Sequence, residues 1–395
     1  MSQGRLVTTG QDPSVGPGGY ISGGGHGPLS STYGLGAQQV LQATVVTTTG
    51  EILVANSAQN QDLFWAIRGG GGGQYGIVTE FVIVHHPLPE RVAFGTLTIA
   101  PLAQSAANAS RDAASMYLSK LPDLMDAGIT GALSLATGNT MKTFNPAIVN
   151  ITAGVSTTHA VWSFNRTAAQ MDALIDPVVQ EMRTLGDDST LSITYSASTV
   201  ANYSSFYSSI SGSNTAGGGG VSSSRLLGRK ELVDIPQCEL SQYLRRAVAA
   251  QNTTAGTYAT VGLSGGLGII DAPAERWGAL LPAWNTAHLH FFVGGASGSV
   301  DDVTSPQTLL ADNAAWLEKN KEELWREWAP ESGSYMNEGN PYNSHFKHDF
   351  YGDHYEGLLA VKQKYDPTES LYVLRGVGSD SWHYDLQDGT LCRTV

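Results

Sequence analysis

Cysteine is almost absent from this 395-residue chain: Cys238 and Cys392 are the only two. No disulfide framework is implied, and a single bridge or two free thiols fits equally well. Charge is sparse too, at 14% of residues, and positive charge is sparser still, with 22 Lys and Arg against 35 Asp and Glu. A net charge of −13 without a basic run argues against nucleic acid and anionic membrane surfaces as partners. No apolar run approaches membrane-spanning length, and MSQGRLVTTGQ lacks the apolar core of an export signal. Five N-x-S/T sequons, at Asn108, Asn150, Asn165, Asn202 and Asn252, point the other way, towards a secretory origin. The dinucleotide fingerprint GxGxxG set between strand and helix is missing, as is a phosphate-loop lysine.

Glycine is what the chain has in quantity, 46 residues, and two stretches concentrate it. The first is Gly18 to Gly27, GGYISGGGHG, followed by Pro28, Leu29, Ser30 and Ser31. The second is Asp62 to Gly76, DLFWAIRGGGGGQYG, whose glycine run lies between a short apolar helix and a strand from Gly76 to Val84. Backbone without Cβ lets a ligand lie against main-chain N–H groups, and consecutive N–H groups form an anion-binding concavity. Both stretches therefore read as cradles for a large phosphate-bearing cofactor. The first fits a flexible linker equally well.

These residues carry a family resemblance. GGYISGGGHGPLSSTYGLGAQQVL, VVTTTGEIL and DLFWAIRGGGGGQYGIVTEFVI resemble the second half of the FAD-binding domain of berberine bridge enzyme-like oxidoreductases, in the vanillyl-alcohol oxidase superfamily, and look most like its fungal branch. Tyr335 to Glu338, Phe350 to Gly352, Leu358 to Pro367 and Val377 to Trp382 are similar to that family's closing segment. The resemblance implies an α+β fold: residues 1–88 as the second half of an FAD-binding domain, 89–330 as an antiparallel-sheet substrate domain with helices on one face, and 331–395 as a segment returning to the flavin. It begins in mid-domain, so the subdomain of about a hundred residues that usually precedes it is expected to be missing. An incomplete domain would expose apolar surface and favour a second chain or self-association. Asp12 stands where many members carry a flavin-linked cysteine, and the histidine anchor has no counterpart, so FAD is expected to bind noncovalently.

The implied cofactor contacts are Gly18, Gly19, Gly23, Gly24, Gly25, His26, Gly27 and Ser30 from the first cradle and Gly72, Gly73, Tyr75, Gly76 and Val78 from the second. Asn337 matches an asparagine that contacts the FAD, on a strand crossing back to the flavin, and alternation along that strand would turn Glu338 away from it. Tyr335 is the candidate base, provided that neighbours lower its pKa.

The middle of the chain is read from periodicity. Arg91–Ala100, Gly131–Ala136 and Ile148–Gly154 read as strands, and 105–121, 168–185, 311–328 and 346–365 as helices. Tyr203 to Ser224 reads as a mobile loop, or as a lid with Tyr203, Phe206 and Tyr207 as contacts. Arg225 and Arg229 resemble a family position at a strand start close to the active site, but read more simply as surface arginines, and Lys362 and Lys364 read as solvated. His288 and His290 share a strand face but have no third ligand at a visible spacing, so no metal is expected.

The resemblance implies an FAD-dependent oxidase or dehydrogenase acting on an alcohol, sugar or secondary-metabolite carbon, with hydride passing to the flavin. A redox-silent cyclase or isomerase on the same scaffold, and a subunit needing a second chain to bind FAD, are the alternatives.

Overall fold

In the computed structural model, which describes residues 3–212, 220–298, 305–386 and 388–394, the first helix is built largely of glycine. Helix α1, Pro17–Gly23, opens on a proline, whose fixed φ and missing N–H cost nothing in a first turn. Glycine is a poor helix former, so burial of Tyr20 and Ile21 must hold this element.

Strands β1 (Val40–Val46), β2 (Ile52–Asn56) and β3 (Ile77–Ile83) make an antiparallel sheet in the order β2-β1-β3. Helix α2, Gln61–Ala66, joins β2 to the glycine run, as DLFWAI predicts. Asp62 in its first turn accepts hydrogen bonds from Lys364 Nζ (2.6 Å) and the Tyr365 hydroxyl (2.9 Å), tying it to the end of the chain. One face of the sheet buries Ala43, Val45 and Ala55. On the other, Ile52 and Ile77 both sit opposite Val46, and both isoleucines are exposed.

A second, seven-stranded sheet follows. Its strands are β4 (Val92–Pro101), β5 (Thr130–Ala136), β6 (Ser156–Phe164), β7 (Leu191–Val200), β8 (Ser223–Gly228), β9 (Tyr258–Gly262) and β10 (Ala287–Val293). The order is β8-β10-β9-β5-β6-β4-β7, with every neighbouring pair antiparallel. Helices α3 (Ala107–Asp126), α4 (Ala168–Arg183) and α6 (Gln237–Ala247) pack on one face, where Leu97, Leu133, Val161, Leu289 and Phe291 meet Leu118, Met171 and Leu240. The fold is α+β.

Four local expectations are corrected. Residues 148–154 do not form a strand: Asn150 (φ 58°) and Gly154 (φ 100°) break the extended path, and Ile148 tucks against Met141. Helix α5, Tyr203–Ile210, replaces the first part of the expected mobile loop and lies on the sheet face away from α3, where Tyr203 and Phe206 pack with Trp162. Residues 213–219 of that stretch lie outside those described. Arg225 is not a surface residue but fully buried, paired with Asp349 at 2.8 Å. Lys362 is also buried, and its ammonium reaches Asp366 (2.9 Å) and the carbonyls of Gln74 and Leu371. Lys364 and the partly exposed Arg229 do lie at the surface.

From Pro306 to Tyr365 the chain is mostly helical. Helix α7 (Pro306–Leu317) runs through a wide π-helical turn, Glu318–Glu322, into α8 (Glu323–Trp328), burying Trp325 and Trp328 in the main core. The helix expected over 346–365 is broken at Gly352 (φ 55°), and only Tyr355–Tyr365 (α9) is α-helical. Phe350, Tyr351, Tyr355 and Leu358 share a core with Tyr20, Ile21, Leu63, Phe64 and Tyr75, so the end of the chain packs on the glycine-rich beginning. Both cysteines are free and exposed. Among the described residues, no helix is long and apolar enough to cross a membrane.

Candidate functional site

A cleft of about 350 Å³ lies where the two glycine stretches meet the returning chain. Gly18, Gly19 and Ser22 line one side, Gly72, Gly73, Gln74, Gly76, Ile77 and Val78 another, and Met336, Asn337, Tyr351 and Arg375 close it. A Cβ added to Gly18, Gly19 or Gly73 would meet nothing within 4 Å, so these glycines present bare backbone to open space. The floor is tied together by main-chain bonds, Gly69 N–H and Gly71 N–H both donating to the Ser22 carbonyl at 3.1 and 2.9 Å. Arg375 adds positive charge: its Nε is buried without a partner, and the guanidinium carbon lies 5.4 Å from the Phe346 ring centroid. Glycine backbone facing space, with an arginine on the rim, is a donor set suited to phosphate oxygens.

Asn337 holds the returning segment in place. Its Nδ2 donates to the Gly19 carbonyl at 3.0 Å and to the Tyr335 hydroxyl at 2.7 Å. Gly23 must be glycine for this contact, because a Cβ there would come within 2.4 Å of the Asn337 amide. The segment is not the expected strand. Residues 336–338 form a tight 3-10 turn, with Glu338 N–H donating to the Tyr335 carbonyl, so the alternation that would separate Asn337 from Glu338 does not apply.

That turn delivers Glu338 to two imidazoles. His26 Nε2 lies 3.2 Å from Glu338 Oε1, and His290 Nδ1 lies 3.4 Å from Glu338 Oε2. The three donor atoms fall within 4.8 Å of one another, and the Tyr335 ring packs edge-on against both histidines. This overturns the expectation that His290 lacks further ligand-type neighbours. His288, two residues away on the same face, pairs instead with Asp126 at 3.2 Å.

Electrostatics divide the labour. Partial burial would raise the Glu338 carboxyl, but His26, by charge and hydrogen bond, and then His290 outweigh it and hold the group down at about 2. Burial pushes the His290 imidazole down to about 4, against the pull of Glu338, so it is neutral at pH 7. Its Nε2 is buried without a partner. Burial, with the Glu338 charge, drives the Tyr335 hydroxyl up despite the hydrogen bond from Asn337. A tyrosine base needs the opposite shift, which corrects the expectation for Tyr335. Glu338 is the ionised acceptor here, with 39% of its side chain exposed.

Behind His26, Ser264 Oγ lies 3.0 Å from Nδ1. Gly262-Leu263-Ser264-Gly265-Gly266 has the spacing of a serine-hydrolase elbow, and Ser264, His26 and Glu338 are in hydrogen-bonding sequence. The backbone N–H groups that follow the serine, however, are not free to serve as oxyanion donors. Gly265 N–H already donates to the His288 carbonyl (3.0 Å) and Gly266 N–H to that of Ala287 (2.9 Å). Ser264 therefore orients His26.

The expected cofactor residues divide into two groups. Gly18, Gly19, Gly72, Gly73, Gly76, Val78 and Asn337 line the cleft. Gly23 and Gly24 pack on Asn337 and Tyr335, and His26 belongs to the carboxylate cluster. Gly25 packs on Tyr20 and Gly27 on the Thr9 carbonyl, so neither faces the cleft. Ser30 is buried, its hydroxyl engaged by the carbonyls of Gly27 and Ser264 at 2.9 Å each. Tyr75 is buried too, its hydroxyl pinning the Gly70 carbonyl at 2.6 Å. These two side chains shape the cradles from behind. Arg375, Ser264 and the pairing of His26 with His290 had no signal in the sequence, because each depends on residues hundreds of positions apart.

Residues 334–377, from this turn to α9 and beyond, match the family model described as "Berberine and berberine like". Over its whole length the chain is 32% identical to the FAD-linked oxidoreductase apf9 of Gibberella fujikuroi, covering 65% of that protein. The chain is similar over its whole length to berberine bridge enzyme-like FAD-linked oxidoreductases. It is also 31% identical to the FAD-linked oxidoreductase patO of Aspergillus clavatus, with 99% of the chain and 63% of the relative aligned. A crystal structure of a VAO-type flavoprotein from Myceliophthora thermophila superimposes on all of it with a TM-score of 0.85 at 29% identity, covering 66% of that chain. This berberine bridge-like chain thus spans less than two thirds of the length of the curated relatives it matches first.

Proposed function

We propose that this chain serves an FAD-dependent oxidoreductase that oxidises a small alcohol, sugar or secondary-metabolite carbon. The observation that carries the reading is the convergence of Gly18, Gly19, Gly72, Gly73, Gly76 and Val78 with Asn337 and Arg375 on one cleft. The bare glycine backbone and the unpartnered Arg375 Nε fit the pyrophosphate of FAD. The names of the relatives, FAD-linked oxidoreductases, support the same cofactor.

When bound, the flavin would take the hydride. The chain's own residues supply the rest. Asn337 fixes the returning turn on the Gly19 carbonyl, beside the cofactor cradle. Glu338 is the proton acceptor in place of Tyr335, since it is ionised, half-open and backed by His26 and His290. Tyr335 is then a buried wall, its hydroxyl engaged with Asn337. With aspartate at position 12, no thioether can form there, and the flavin attachment we propose is noncovalent. The exposed Ile52 and Ile77 opposite Val46 support association with a further segment, a second chain or another copy.

The visible absorption spectrum of the purified protein, before and after acid precipitation, tests the reading. Yellow flavin released into the supernatant is the expected result, with bleaching when substrate is added under exclusion of oxygen. A pellet that keeps the colour would overturn noncovalent attachment. Protein that stays colourless after reconstitution with FAD would overturn the function.

A further inference from the structure

Two imidazoles and a carboxylate that converge from three distant parts of a chain make an uncommon arrangement. We propose that His26, His290 and Glu338 form a binding site for a divalent transition-metal ion of the zinc type. The site does not rest on the flavoprotein reading; an ion there engages the carboxylate that this reading makes the proton acceptor, so Glu338 serves one of the two roles at a time. The geometry supports coordination. A tetrahedral ion bound at about 2.0–2.1 Å spaces its ligand atoms about 3.4 Å apart. His26 Nε2 lies 3.2 Å from Glu338 Oε1 and His290 Nδ1 lies 3.4 Å from Glu338 Oε2, so the two imidazoles approach the same carboxylate from its two oxygens. The three donors lie within 4.8 Å, so an ion can reach all of them with small side-chain rotations.

The donor chemistry agrees. Two imidazole nitrogens with one carboxylate oxygen are a donor set that selects zinc-like ions over calcium or magnesium. Ligation through Nε2 leaves the His26 proton on Nδ1, where Ser264 Oγ accepts it at 3.0 Å, the outer-shell partner that ligating histidines normally have. Ligation through Nδ1 puts the His290 proton on Nε2, which has no protein partner. A missing partner of this kind weakens metal affinity by about 10- to 100-fold, so the site binds moderately and loses its ion on prolonged chelation. Three protein ligands and a partly exposed Glu338 leave a fourth position open to a water or a substrate oxygen, the pattern of a reactive ion more than a structural one.

Equilibrium dialysis of the chelator-stripped, full-length protein against Zn2+ tests the site, with flavin content read from the absorption spectrum of the same samples. The wild type is expected to bind one ion per chain. His26→Gln and Glu338→Gln preserve size and hydrogen bonding, and each should lower affinity at least tenfold. His288→Ala, two residues along the same strand and paired with Asp126, should bind like the wild type. Absence of binding in the wild type, or equal binding by the His26 and Glu338 variants, overturns the site, as does loss in His288→Ala as large as theirs. Zinc binding in samples that hold no flavin would keep the metal site and count against the flavoprotein reading alone.

Discussion

Arg225 and Asp349, 124 positions apart, form an ion pair 2.8 Å long with both side chains buried. The same guanidinium donates from Nε and Nη2 to the Ala329 carbonyl, at 3.2 and 2.6 Å. Strand β8 is thereby clasped to both ends of the loop 329–349 that carries Tyr335, Asn337 and Glu338. Removing one partner from a buried pair leaves an uncompensated charge and costs about 3–5 kcal/mol. Arg225→Met should therefore destabilise the protein by about that amount in urea unfolding. A change below about 1 kcal/mol would show that the loop is held by other contacts.

Next to this pair, Glu322 is buried; its Oε2 accepts a 3.3 Å bond from Asn343 and its Oε1 is unpartnered. Burial, with help from the Asp349 charge, pushes its carboxyl up to about 7. A folded-state pKa above the unfolded value binds extra protons, so this contribution is full below about pH 4.5 and is lost as pH rises through 7. Its size is up to about 3 kcal/mol, since each tenfold gain in proton affinity on folding contributes about 1.4 kcal/mol. Unfolding free energies measured from pH 4.5 to 7.5 should fall more steeply for the wild type than for Glu322→Gln. Parallel curves would place Glu322 in contact with solvent.

Gly23→Ala would push a Cβ to within 2.4 Å of the Asn337 amide, which is pinned to the Gly19 carbonyl. Overpacking of this kind costs about 1–3 kcal/mol. In an Asn337→Ala background the obstruction is gone, so the same glycine substitution should cost clearly less. Additive losses across this double-mutant cycle would break the proposed contact.

Arg375→Met should lower thermal stability by no more than about 1 kcal/mol, because the guanidinium loses its contact with the Phe346 ring but no hydrogen bond from Nε. Hydrogen bonds to charged groups contribute about 1.5–3 kcal/mol, so FAD affinity, followed by flavin fluorescence, should fall about 10- to 100-fold. Unchanged affinity would remove Arg375 from the cofactor site.

The two glycine cradles were legible because glycine clusters between elements have few uses other than turns and close backbone approach. Helices α3 and α4 were legible because each has one wet and one dry side, and strands β4 and β5 because fully buried apolar residues such as Leu97, Leu133 and Leu135 alternate with less buried ones. Strand alternation failed at 335–338, where a hydrogen-bonded turn replaced it. Arg225, Lys321 and Lys362 show why burial of charge escapes local reading. Lys321 is fully buried with its ammonium on the carbonyls of Arg246, Ala247 and Ala249, all more than seventy residues away. A lysine in a helical pattern gives no hint of such partners.

By itself, the sequence carried a family resemblance in its motifs, while periodicity wrote the α+β pattern and clustered glycine marked both cradles. The tertiary structure alone decided which cradle residues face the cleft and which brace it from behind. It also decided that Glu338, and not Tyr335, is the ionised group, because pKa depends on burial and on charges brought together in space. His26, His290 and Glu338 lie 264 and 48 residues apart in successive pairs, and only the packing of three segments against one another makes them a single chemical unit.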